Sequence, residues 1–69
     1  MSISYKPLWH QLVDRGMKKL EFRDYVDIST STLAKLGKDE YVSLEIIEKI
    51  CLKLNCEIQD VVVIKKENT

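Results

Sequence analysis

Apolar residues recur three and four positions apart along most of this chain, and that spacing predicts helices. Leu8, Trp9, Leu12 and Val13 form a first stripe. It opens near Pro7, whose missing N–H costs nothing in a first turn. Gly16 is placed to close that helix as a left-handed cap. A second helix spans about Lys19 to Val26, with Leu20, Phe22, Tyr25 and Val26 at its bulky positions. Asp27 falls at a tight turn, and Asp tolerates left-handed backbone better than most residues. Ile28 is the apolar residue of that turn. Ser29 is an N-cap for a third helix, Thr30 to Leu36, which Gly37 ends.

After a loop from Lys38 to Val42, Ser43 caps a fourth helix, Leu44 to Leu54. Leu44, Ile47, Ile50, Cys51 and Leu54 make its inward face. Asn55 is a good stop signal. A short helical turn is expected around Ile58 to Val61. The run Val61 to Ile64 is β-branched and reads as a terminal strand. Lys65 to Thr69 reads as a polar tail, expected to fray. The fold class is therefore all-α, a compact bundle of short helices with a short C-terminal strand. Trp9, Phe22 and Tyr25 read as core aromatics. Tyr41, in the loop after the third helix, has three readings: a phosphate contact, a partner contact or a cover on the core.

Chain length sharpens this picture. Sixty-nine residues make one domain, 1–69, with a core that needs tight helical packing or a partner chain. Cys51 and Cys56 lie close together and read as reduced thiols of a cytoplasmic protein. Cys51 reads as core and Cys56 as partly buried, with a redox sensor as the lesser alternative. Met1 to Tyr5 lacks the basic start and apolar run of a signal peptide. The longest aliphatic run, Val61 to Ile64, is far too short to span a bilayer. No membrane partner is expected.

Net charge is zero, with 11 basic and 11 acidic residues. The distribution is uneven. Residues 1–38 carry seven basic and four acidic side chains, net +3, and residues 39–69 carry net −3. That split fits one basic face toward phosphate.

Catalytic chemistry is not supported by any constellation. His10 is the only histidine, and no cysteine or acid accompanies it at ligand spacing. There is no Gly-rich phosphate loop and no nucleophile beside a base. The expectation is a protein that is not an enzyme, with no metal, cofactor or small-molecule ligand.

The order of residue types between Lys18 and Gly37 is more informative. Phe22, Val26, Ile28, Leu33 and Leu36 fall where a helix-turn-helix needs core residues. Ser29 caps the second of the two helices, which then exposes short hydroxyls and a lysine. A major groove accepts such a surface, since small side chains let the helix approach base edges. The stretches Ile28 to Lys38, Val42 to Cys51 and Leu54 to Cys56 resemble the Cro/C1-type (Xre) helix-turn-helix family of prokaryotic and phage regulators. The resemblance covers roughly residues 6 to 61. Arg23 stands where the family often has a small residue, and Asp27 where it often has Gly. The glutamines that many members carry at the starts of both motif helices are absent.

This resemblance implies a lambda-repressor-like bundle of about five helices and a transcriptional regulator of double-stranded DNA. Carried over by position, it places Thr30, Ser31 and Lys35 at base edges. Ser29 and Thr32 would hold phosphate or cap the helix, and Lys19 and Lys38 would contact flanking phosphates. Lysines at the groove edges would make binding salt-dependent. A homodimer on a two-fold operator is expected, joined through the strand Val61 to Ile64 or through the fourth helix and the loop Asp39 to Val42. Two other readings compete. Ser29 to Thr32 can be merely a capped solvent face, and the domain can be a protein-binding module of the antitoxin or adaptor kind.

Overall fold

The computed structural model describes residues 2–66. Among these are four α-helices: α1 (Lys6–Arg15), α2 (Lys19–Val26), α3 (Thr30–Gly37) and α4 (Leu44–Leu54). A single 3-10 turn, Ile58–Asp60, follows α4. Two short strands, β1 (Ile3–Ser4) and β2 (Val63–Ile64), pair antiparallel, with Ile3 opposite Ile64 and Ser4 opposite Val63. The all-α bundle read from the sequence is the fold observed, and its fifth helix is the 3-10 turn. The expected fraying of the tail, where it concerns residues 67–69, lies outside the described residues.

Each helix ends where its residue types require. Gly16 closes α1 at φ 66°, Asp27 closes α2 at φ 65° and Asn55 closes α4 at φ 53°, all in left-handed backbone. Gly, Asp and Asn are the residues that reach this region at least cost. Both Ser29 and Ser43 cap as expected. The Thr32 N–H donates to Ser29 Oγ at 3.1 Å and the Ile46 N–H to Ser43 Oγ at 3.2 Å. Lys18 has no capping side chain to offer at the start of α2. Instead the Glu21 carboxylate accepts from the Lys18 N–H at 3.1 Å.

The core is one cluster that draws on β1 and all four α-helices, and on neither the 3-10 turn nor β2. Leu8, Leu12, Phe22, Val26, Leu36, Ile50, Leu54 and Val61 are buried, with Leu33 and Cys51 partly buried against them. Burying a side chain of this size contributes roughly 1.5–3 kcal/mol. Trp9 meets the edge of Phe22 in a T-shaped pair with centroids 6.3 Å apart.

Several expectations need correction. Val13 and Leu44, placed on inward stripes, are 77% and 76% exposed. Each is at the margin of its helical stripe, away from the direction of the core. Tyr25, read as a core aromatic, is also exposed. Tyr5 takes the buried aromatic place instead: its hydroxyl donates to the Glu40 carbonyl at 2.8 Å and its N–H to Asp39 Oδ1 at 3.0 Å. The strand is shorter than the β-branched run, because Val61 turns into the core. The partner along one edge of β2 is the chain's own N-terminal strand. That edge is therefore not open to a second copy.

Candidate nucleic-acid interface

The outward side of α3 is set by its inward side. Leu36 is buried and Leu33 packs against the core, so Thr30, Ser31, Ala34 and Lys35 face solvent. Ser31 and Lys35 are four residues apart and lie one turn above the other on the same face. Lys38 caps the end of α3 and is exposed. Sequence position and structure thus bring Thr30, Ser31, Lys35 and Lys38 onto one continuous surface.

Hydrogen-bond accounting separates the hydroxyls at the start of α3. Ser29 Oγ accepts from the Thr32 N–H and donates to Thr32 Oγ1 at 2.9 Å. It also lies 3.1 Å from Ser31 Oγ. A hydroxyl has one hydrogen and two lone pairs. With its hydrogen on Thr32, Ser29 accepts from Ser31 and is then saturated. Its role here is to cap. Thr32 accepts from Ser29 and keeps its own hydrogen for an outside acceptor. Ser31 spends its hydrogen on Ser29 and offers lone pairs outward. A phosphate oxygen suits Thr32, and an amino group of a base suits Ser31.

Lys19, at the first position of α2, holds its Nζ 4.7 Å from the centroid of the Trp9 ring. The contact steers an otherwise free lysine toward one side of the bundle. Lys49 of α4 donates to the Asp27 carbonyl at 2.7 Å and sits 4.0 Å from its carboxylate. One basic group thus braces the tight turn from behind.

Arg23 is the residue that sequence reasoning missed. Its Nε donates to Asp24 Oδ1 at 3.1 Å and its Nη1 to Thr30 Oγ1 at 3.2 Å. The side chain crosses from α2 to the first residue of α3. Among the described residues its other guanidinium N–H groups have no partner, and they lie beside the exposed hydroxyls. The signal in the sequence is the departure itself: an arginine stands where the family often has a small residue, and its length is what reaches Thr30.

Two short helices joined by a tight left-handed turn, the second with a small polar outer face, define a helix-turn-helix. The chain matches the family described as Cro/C1-type HTH DNA-binding domain over residues 7–67, and it belongs to that family. It is also similar to the crystal structure of the transcriptional regulator VanUg, form II, with 48% identity and a TM-score of 0.90. That similarity covers 96% of this chain and 88% of the other. No curated protein matches this chain. Among the described residues, no helix is long and apolar enough to cross a membrane.

Proposed function

We propose that this protein is a sequence-specific transcriptional regulator without enzymatic activity, acting in the cytoplasm, in which α3 enters the major groove of double-stranded DNA. One observation carries the reading. The exposed face of α3 joins short hydroxyls at Thr30 and Ser31 to cations at Lys35 and Lys38, and Arg23 adds its fork at the Thr30 end. Thr30, Ser31 and Lys35 read base edges. Thr32, Lys19 and Lys38 hold the flanking phosphates, and Ser29 keeps the helix N-terminus in order. The similarity to a transcriptional regulator supports the regulatory role. The protein acts as a homodimer, because a single α3 spans too few base pairs for useful specificity. Its interface is the still-open edge of β2, where Val63 and Ile64 are exposed.

Selection of bound sequences from random double-stranded DNA tests the reading. The expected result is a two-fold symmetric consensus with half-sites about 34–36 Å apart. Recovery of no consensus removes the proposal and favours a protein-binding module. Changing Lys35→Ala together with Thr30→Ala is expected to weaken operator binding at least ~10-fold, as each good base contact contributes about 1–3 kcal/mol. Undiminished binding across a salt titration excludes α3 as the reading head. Light scattering on DNA separates the dimer from the reading itself: Ile64→Asp is expected to leave a folded monomer with weakened operator affinity.

A further inference from the structure

All four α-helices close with the same six-residue arrangement, α3 through the Glu40 N–H returning to the Lys35 carbonyl at 3.0 Å around left-handed Asp39. In α1 the Met17 N–H returns to the Leu12 carbonyl at 2.9 Å around left-handed Gly16. In α2 the Ile28 N–H returns to the Arg23 carbonyl at 3.1 Å around Asp27, and in α4 the Cys56 N–H returns to the Cys51 carbonyl at 3.0 Å around Asn55. This bond sets the side chains of the first and sixth residues side by side, and an apolar pair usually fills the place. At α1 the pair is Leu12 and Met17. At α4 both members are cysteines, the only two in the chain. Both are partly buried, both pack against the core, and both are free thiols.

We propose that Cys51 and Cys56 are a modification site, a dithiol set by the helix terminus to close into a reversible intrachain disulfide when it meets a low-molecular-weight disulfide. A disulfide requires Cα atoms roughly 4.4–6.8 Å apart. The Cys56 N–H to Cys51 carbonyl bond of 3.0 Å holds the two Cα atoms close to that separation, so closure needs little backbone movement.

The two thiols have different roles. Cys56 lines an open cavity of about 520 Å³ between α1 and the exit of α4, beside His10, Gln11 and Arg15. Gln11 Nε2 donates to Cys56 Sγ at 3.6 Å. Cys51 is not among the residues lining the cavity, and burial pushes its thiol up from the ordinary value. Cys56 therefore attacks first. Its thiolate displaces one thiol from the small disulfide and leaves a mixed disulfide on Cys56. Cys51 then gives its proton to solvent, attacks Cys56 Sγ and expels the second thiol. Two protein thiols are oxidised by two electrons, and the small disulfide is reduced to two thiols.

Closure pins the place where α1 grips the end of α4. Gln11 Nε2 also donates to the Asp60 carbonyl at 3.1 Å, and Arg15 Nη2 donates to the Leu54 carbonyl. No residue of the α3 face belongs to this junction.

The test is intact-mass analysis of the full chain after treatment with excess oxidised glutathione. The expected product is a single chain lighter by two hydrogens, carrying no glutathione and restored by a reductant. Its melting midpoint is expected to rise by roughly 5–15 °C over the reduced chain. Cys51→Ser is expected to trap one glutathione on Cys56, and circular dichroism confirms that the variant is folded. Wild-type chains that stay reduced, retain glutathione or link to one another overturn the proposal. So does a disulfide form whose midpoint fails to rise, since a pair that has to be pulled together is not pre-set. The wild-type arms decide the matter even where Cys51→Ser does not fold.

Discussion

Asp27 holds left-handed backbone while carrying a Cβ, and its carboxylate gains little from Lys49 4.0 Å away. An exposed ion pair of this kind contributes about 0–1 kcal/mol. Asp27→Gly removes the steric cost and is expected to raise stability by about 0.5–1 kcal/mol in urea unfolding. A fall in stability instead means that the carboxylate does more than its distance suggests. The left-handed stops at Gly16, Asp27 and Asn55 were legible in the sequence, because each depends on one residue type at one place; the fourth, at Asp39, lies two residues past Gly37, where the end of α3 was expected. The Arg23 bond to Thr30 was not. It depends on a rotamer reaching across a turn, and no pattern of residue types reports a rotamer. Burial of single side chains was legible at stripe centres and failed at stripe edges, as Val13, Tyr25 and Leu44 demonstrate.

At the level of elements, α3 is eight residues long and poor in packing contacts, with one fully buried side chain. A helix this short is marginal by itself. Its Ser29 cap is correspondingly important. Ser29→Ala is expected to cost about 1 kcal/mol, as the Thr32 N–H loses its acceptor. Ser29→Asp restores the cap and adds a favourable charge at the helix start. The two variants therefore separate folding from recognition. Ser29→Asp is expected to melt near the wild-type temperature and yet bind DNA more weakly, because its carboxylate repels the phosphates beside Thr32. Wild-type binding by that variant places the backbone elsewhere. All four helices could be read from three-and-four spacing and caps. Strand β1 could not, since two residues carry no periodicity and their partner is at the other end of the chain.

Across the whole molecule, the N-terminal segment and the loop after α3 are joined through Tyr5. The Tyr5 phenol is held above its ordinary value chiefly by burial, with the Asp39 carboxylate adding and a backbone hydrogen bond at Val42 opposing. Cys51 is likewise raised, by burial first and then by Cys56. Both groups keep their protons in the folded chain where the unfolded chain releases them. Their contribution is complete below the unfolded values, about 8.5 for Cys and 10 for Tyr. It is lost as pH rises through the folded values. Melting midpoints are expected to fall from about pH 8 to about pH 11. Tyr5→Phe is expected to cost about 1 kcal/mol at neutral pH, by leaving the Glu40 carbonyl unpaired, and to flatten part of that fall. A slope unchanged by Tyr5→Phe assigns the alkaline loss to other groups. The bundle as a whole was legible because its helices are local. Tyr5 was not recognised as core because its neighbours lie more than 30 positions away, at Asp39 and Glu40.

The β1–β2 ladder has a consequence in time. The helices close over short loops, whereas this ladder joins segments from opposite ends of the chain and is two residues long on each side. Joining distant segments carries the largest loop-closure entropy, so such contacts form late. The ladder is the last element to assemble and the first to open. An exposed strand edge invites pairing with other chains while a protein is still partly unfolded. Here the edge appears only after the core has closed beneath it, so the chain presents a pairing surface when it is already folded and can meet a folded copy of itself.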